Sequence, residues 1–497
     1  LRGKELKQRA DSLRLSLDSL ETKFSMRKSS PVPFSFIVKL QSDATAKSKR
    51  EDITNLFEQK SFGGVVGLTD TNKLIVALDS LEELKEVANR INDYEINDYA
   101  ISCIEDFEEF VPYIVKGKKE CNYKIKLVDY QNYEQNLAMR RRLEHTLNKE
   151  GIDYTKTDYS EEYYIYKLRN ITEKSLDVLK KADIFNALFS IEPMPKYKVS
   201  LDCLKSDNNI PIKKPDDEKM YITIGILDNG IANIPHLSPW MEMDRWSPYP
   251  KTSINPTHGT FVSGIALYGD ECEGKIWVDH KGLKIFDAAV FPDVTKEGLD
   301  EDELIANIKD VIRLYHEKVK IWNLSISITR EVIDTKFSDF AIALDSIQDE
   351  YNVLICKSAG NCENFTVSRP KGRIHEGADS VRSLVVGSVA HKKGKYDYAE
   401  VNDPSPFSRV GPGPEYIIKP EVSHYGGNAG IDPKGRVVTS GVKSFSKEGE
   451  LAQGVGTSFS TPRITAYIHL ARSVCGNRPI HYKRCSNEYL IYRYFPI

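Results

Sequence analysis

The chain has 497 residues, 40% hydrophobic and 28% charged, a length that allows two to four domains at roughly 100–200 residues each and a large core. Its 69 basic and 72 acidic residues nearly balance, for a net charge of −3, so there is no global basic field of the kind nucleic-acid binders carry. No run approaches the ~18 apolar residues of a membrane span, and without GxxxxGK[ST] the chain does not hydrolyse ATP through a P-loop.

The first 24 residues place Leu6, Ala10, Leu13, Leu17, Leu20 and Phe24 on one face of a helix, near the heptad period. Residues 1–30 therefore read as an amphipathic helical arm, either partner-binding or packed on its own domain. The same segment is charged throughout with no apolar signal-peptide core, so the expected location is cytoplasmic.

Two stretches then share one pattern. In 31–112, "FSFIVKL" (34–40) reads as a strand, 48–59 as a helix, "GGVVGL" (63–68) and "KLIVAL" (73–78) as strands, 81–92 as a helix and 99–104 as a strand. In 121–200, "YKIKLV" (123–128) precedes a helix at 131–149, strands near 152–156 and 163–168, a helix at 172–182 and a strand near 188–192. Each is β-α-β-β-α-β, the ferredoxin-like order. Residues 201–219 follow, with "KSDNNIPIKKPDDEK" (205–219) polar, proline-bearing and without periodicity, a linker by composition.

From Met220 the texture changes. The runs "YITIGIL" (221–227), "GLKIFDAAVF" (282–291), "KIWNLSI" (320–326), "NVLICKSA" (352–359) and "SLVVGSVA" (383–390) are near-continuously apolar, as strands covered on both faces are. Between them, 302–318 and 338–350 carry helical spacing. This alternation over 220–475 predicts an α/β fold, a doubly wound, mostly parallel sheet. After it, 476–497 lacks further helical pattern and reads as an irregular tail, consistent with truncation.

In such a sheet, sites form at the carboxyl ends of the strands. The first run ends in Asp228, "NVLICKSAGN" in Asn361 after a glycine that permits a sharp turn, and "KIWNLSIS" in Ser325, Ile326 and Ser327. "THGTFVSG" (257–264) opens a helix at His258, and "GVGTSFSTP" (454–462) brackets Ser458 between glycines and a helix start. Singly each has a plain reading: a turn acid, a helix cap, a turn residue, an N-cap. Together they are the groups that acyl transfer requires. A serine hydroxyl needs an imidazole to take its proton, and a buried carboxylate fixes that imidazole's tautomer. The oxyanion needs an amide and a helix-start N–H as donors. Cys356 and Cys362 flank the oxyanion loop, but the eight scattered cysteines, without a CxxC pair, read as reduced thiols rather than disulfides or a zinc site.

"GILDNGI", "HGTFVSGI", "NLSIS", "SAGN", "FSRVGP" (407–412), "IKPEV" (418–422) and "GTSFSTP", in this order, resemble the subtilisin-like serine peptidases, the subtilases, over about Tyr221–Ala471. The resemblance implies a subtilisin-like fold, an Asp228–His258–Ser458 triad, Asn361 as oxyanion donor, and Ser325–Ser327 as the strand that pairs with an extended substrate. Three departures stand out: Asn229 where the family has Ser or Thr, Ser327 for glycine, and Phe261 where a second His is common. The resemblance further implies a serine endopeptidase acting on protein or peptide, with no cofactor and no metal indicated. The domain at 121–200 stands where the family's propeptide does, implying a latent enzyme with residues 205–219 in or near the cleft. Association with a separate AAA-type ATPase, as in some bacterial cytosolic members of phage-defence systems, is compatible with it. The alternative from another class is a catalytically silent interaction module on the same fold.

Overall fold

In the computed structural model, which describes residues 1–27, 30–42, 44, 50–59, 63–70, 72–117, 121–169, 171–197, 204–205, 210–278, 282–293, 298–326, 330–362, 365 and 372–475, the N-terminal stripe is buried. Helix α1 (Gly3–Met26) seats Leu6, Ala10, Leu13, Leu17 and Leu20 in a core with Phe34, Phe36, Leu84 and Ile101. The chain divides into two units, Leu1–Asp158 with Glu162–Met194, and Tyr159–Glu161 with Pro195–Ile497.

In the first unit, α1 is followed by β1 (Phe34–Leu40), α2 (Arg50–Phe57), β2 (Gly63–Asp70), β3 (Lys73–Leu78), α3 (Leu81–Asn92), α4 (Asp98–Cys103) and β4 (Ile104–Glu109). The antiparallel sheet runs β2-β3-β1-β4. The strand expected at 99–104 is instead α4, because Ala100, Ile101 and Cys103 are buried at helical spacing; the strand starts at Ile104. A second sheet comprises β5 (Tyr113–Ile114), β6 (Tyr123–Leu127), β7 (Tyr154–Ser160), β8 (Tyr163–Leu168) and β9 (Leu188–Pro193), ordered β5-β9-β6-β8-β7. Helices α5 (Tyr133–Lys149) and α6 (Glu173–Lys181) lie between its strands in sequence. Ile37, Ile75 and Ala77 of the first sheet share a core with Ile125, Tyr166 and Ile191 of the second. Strand β1 is thus buried on both faces, which explains its uninterrupted apolar run.

The second unit opens with β10 (Lys196–Tyr197) and β11 (Leu204–Lys205). There follow β12 (Thr223–Asp228), α7 (Thr257–Glu273), β13 (Lys284–Ala289), β14 (Leu299–Asp300), α8 (Glu301–Tyr315), β15 (Ile321–Leu324), α9 (Asp339–Tyr351), β16 (Leu354–Ser358), β17 (Leu384–Val389) and β18 (Val422–Tyr425). The unit continues through β19 (Asn428–Ile431), β20 (Val437–Ser440), β21 (Val442–Phe445) and β22 (Leu451–Gly454) to α10 (Thr457–Cys475). The six-stranded sheet β13-β12-β15-β16-β17-β18 is parallel throughout. Helices α7 and α10 pack on each other, as do α8 and α9. This is the predicted α/β architecture, subtilisin-like and preceded by sheets of mixed α+β character.

The polar stretch after 205 is tied down where it is described. The Ile210 carbonyl meets His236 Nε2 at 2.9 Å, the Lys213 N–H donates to Tyr268 Oη at 2.8 Å, and Trp240 Nε1 donates to the Lys213 carbonyl at 3.0 Å. Strand β10 pairs antiparallel with β14, and β11 with β22. Residues 198–203 and the tail 476–497 lie outside the described residues. Among the described residues, no helix is long and apolar enough to cross a membrane.

Candidate active site

The sheet's strand order reverses beside β12, flanked by β13 on one side and β15 on the other, and such a reversal leaves a crevice at the strands' carboxyl ends. Asp228, fully buried, is the last residue of β12. His258, 3% exposed, is the second residue of α7. Its Nδ1 lies 2.9 and 2.8 Å from the two Asp228 carboxylate oxygens. A carboxylate accepts from Nδ1–H, which leaves Nε2 as the basic nitrogen. Close approach of β12 and α7 requires Gly259, where any Cβ would collide with the Gly230 carbonyl.

Asn229 supports this pair by another route than its position suggests. Its backbone N–H, not its amide, donates to Asp228 Oδ1 at 2.8 Å, while its side-chain oxygen accepts from the Gly259 N–H at 3.0 Å at the start of α7. Phe261 is a packing residue, its ring 4.6 Å from that of Phe459.

Ser458 is the second residue of α10, where an N–H has no intrahelical acceptor. The ring of His258 lies 5.8 Å from that of Phe459, the next residue. The Ser458 hydroxyl is bonded not to His258 but to the Ser325 carbonyl, at 2.9 Å, and the Ser325 hydroxyl donates to the Ser458 carbonyl at 2.9 Å. That carbonyl is available because the residue four positions on is Pro462, which has no N–H to offer it. Pro462 therefore lies deeper in the helix than the free first turn, and its role is to release the acceptor that anchors Ser325.

Asn361 follows β16 through Gly360, whose φ of +103° suits glycine. Its side-chain oxygen accepts from the Thr457 N–H at 2.9 Å and the Thr457 hydroxyl at 3.0 Å. The amide NH₂ thereby faces away from Thr457. Of the expected substrate strand, Ser325 and Ile326 follow β15, and Ser327 lies outside the described residues.

Several residues around the site escaped the sequence reading. Thr457 orients Asn361; its place directly before the expected nucleophile was the available signal. Asp287, an acid inside the apolar run of β13, accepts from the Ile231 N–H at 3.0 Å and pairs with Arg245 at 2.6 Å. Burial, against the pull of Arg245, raises its carboxyl to about 6. Lys357, in β16, is wholly buried; its ammonium donates to the Ile326 carbonyl and, at 3.0 Å, to the Ser358 carbonyl. Desolvation lowers it to about 7. Cys356 is buried and its thiol pushed up to about 12 by desolvation, which makes it inert. Cys121, Cys272 and Cys356 are free thiols.

The family model described as the Subtilase family, Peptidase_S8, matches residues 220–482. The chain is 30% identical over 181 residues to the uncharacterized protein y4bN of Sinorhizobium fredii, covering 29% of this chain and 42% of that protein; it thus spans under half of that relative's length. Among solved structures it is similar to the epidermin leader peptide processing serine protease of Staphylococcus aureus, with TM-score 0.44 and 15% identity over 71% of this chain and 88% of that one. It is also similar to fervidolysin of Fervidobacterium pennivorans, a keratinolytic enzyme related to subtilisin, with TM-score 0.46 and 14% identity over 74% and 57%.

Proposed function

Because the chain belongs to the subtilase family, we propose that it is a serine endopeptidase hydrolysing peptide bonds of protein or peptide substrates through an acyl-enzyme on Ser458. The observation that carries this reading is the buried Asp228–His258 pair at 2.8–2.9 Å, near an α10 whose first residues also hold Asn361. The proposed chemistry requires the Ser458 hydroxyl to leave the Ser325 carbonyl for His258 Nε2. His258 then takes the proton as the oxygen attacks the substrate carbonyl, and Asp228 stabilises the imidazolium. The Asn361 amide and the Ser458 N–H receive the oxyanion. His258 gives its proton to the leaving amine, and water releases the acyl group by the reverse path.

The strand orders β2-β3-β1-β4 and β9-β6-β8-β7 support reading the N-terminal sheets as ferredoxin-like. We read the segment between the two sheets and the peptidase domain as a latency element. In support, β10 pairs with β14, and β11 with β22, the strand that leads into Ser458. Cytoplasmic residence and control by a separate ATPase rest on the family resemblance and the N-terminal composition alone.

Fluorophosphonate labelling tests the peptidase: the wild type takes up the probe and Ser458→Ala does not. Equal labelling of both rejects the assignment, and labelling of neither favours either a latent zymogen or a silent module, the reading that the resting Ser458–Ser325 bond speaks for. For latency, incubated wild-type chain is expected to cut itself between about 200 and 220 and Ser458→Ala to stay intact; an active enzyme that never cuts there removes the latency element.

A further inference from the structure

The space beside the nucleophile carries a charge pattern that the peptidase reading does not use. Strands β15 and β16 are in register up to Leu324 opposite Lys357, and beyond them the chain continues as two walls, joined where the Ser358 hydroxyl donates to the Ile326 carbonyl at 3.2 Å. One wall is Ser325–Ile326, bonded to Ser458; the other is Ser358–Asn361, ending in the oxyanion donor. An extended substrate whose acyl carbonyl reaches both Ser458 Oγ and the Asn361 amide lies over both. On the peptidase reading, its side chain just before the scissile bond points at these walls.

Two groups there lack partners for their charge or their hydrogen bonds. Lys357 is fully buried, its ammonium bonded only to the Ile326 and Ser358 carbonyls, with no carboxylate in ion-pair reach among the described residues. An ammonium has three donors, so one remains. His375 is 4% exposed, and both ring nitrogens are buried without a hydrogen-bond partner. Its backbone N–H donates to the Ala359 carbonyl at 3.2 Å, and its Nδ1 stands 2.6 Å from where a Cβ on Gly360 would be. The ring is therefore directly behind the Ser358–Asn361 wall.

The surrounding charges are already committed. Arg409 donates to the Asn361 carbonyl at 2.9 Å and pairs with Glu331 at 2.6 Å. Asp379, which acts on Lys357 through space, accepts from the Ser338 N–H, the Ser338 hydroxyl and the Gly377 N–H at 2.6–2.8 Å. Glu376 pairs with Arg330 at 3.4 Å. A buried ammonium and a buried imidazole donor are costly unless a carboxylate answers them.

We infer that the residue preceding the scissile bond is acidic, its Asp or Glu carboxylate received by Lys357 and His375, which act as specificity-determining residues. The inference rests on the peptidase reading. An uncharged apolar side chain leaves both groups unanswered and a basic one adds repulsion, so discrimination comes from the unpaired polar groups as well as from the new pair.

The test uses the full chain and four fluorogenic peptides differing only in the residue before the cleaved bond: Glu, Gln, Leu and Lys. The wild type is expected to show kcat/KM for Glu above the other three by on the order of tenfold or more. In Lys357→Met the Glu-to-Gln ratio is expected to fall by a similar factor, with KM for Glu carrying most of the change. His375→Leu is expected to lower the ratio as well. Because the ratio is taken within one variant, general loss of activity or folding cancels. Preference of the wild type for Leu, Gln or Lys, or an unchanged ratio in both variants, overturns the inference while leaving the peptidase standing. No cleavage of any peptide together with no fluorophosphonate labelling, by full-length protein already nicked between about 200 and 220, removes both.

Discussion

Ser325 and Ser458 each donate a hydroxyl to the other's carbonyl, and Pro462 makes the exchange possible by leaving the Ser458 carbonyl without a helical donor. Ser325→Ala strands that buried carbonyl, so it is expected to cost about 1 kcal/mol in urea unfolding. It also loosens the nucleophile's backbone, so kcat should fall more than KM rises. On the proposed reading, Asn361→Ala removes a donor that acts once negative charge develops, and it also strands the Thr457 N–H and hydroxyl that the side-chain oxygen accepts. We expect kcat to drop by roughly 10²–10³, the size typical of one oxyanion donor, with KM little changed. Steady-state kinetics on one peptide substrate checks both; an Asn361→Ala enzyme with normal kcat would remove the residue from the oxyanion site.

Helices α1 and α10 show how one periodicity signal serves different ends. The α1 stripe is spent inside the first unit, where Leu13 and Leu17 are fully buried. Leu13→Ala leaves a cavity and is expected to cost roughly 2–5 kcal/mol, read as a lower unfolding midpoint of the N-terminal unit. Helix α10 instead serves at its start, where the Thr457 N–H and hydroxyl hold the Asn361 side-chain oxygen, while Ala466 enters the core of the second unit. Segment 98–103 shows the signal misleading. "YAISCI" is apolar enough for a strand, yet Ala100, Ile101 and Cys103 bury one helical face.

The whole second unit carries a pH liability. His391 and His424 are buried around Trp277, and the guanidinium of Arg463 lies 4.6 Å over that ring. Glu273 is 3.9 Å from both Arg463 and His391. Desolvation first, and then neighbouring cations including Arg463, push both imidazoles from 6.5 down to about 3. The folded state thus holds them neutral while the unfolded chain protonates them near 6.5. Their contribution is complete above that value and lost progressively as pH falls toward 3. Urea unfolding at pH 7.5, 6.0 and 5.0 should show stability decreasing with each step, and a flat profile would place these imidazoles in contact with solvent.

Much of this protein is written locally. Continuous apolar runs ending in Asp228, Ser325 and Asn361 foretell buried parallel strands with polar carboxyl ends, because a strand covered on both faces admits polar side chains only where it leaves the sheet. The order of the motifs is what leads to the expectation that Asp228, His258, Asn361 and Ser458 meet at one edge. Residue spacing does not carry which partner each group finds. That Asn229 holds α7 by its side chain, that Ser458 rests on Ser325, and that Lys357 is buried against the Ile326 carbonyl all depend on contacts between residues many positions apart in the chain. Hydrogen bonds and desolvation act over a few ångströms of space, and only the folded sheet brings those residues within that distance.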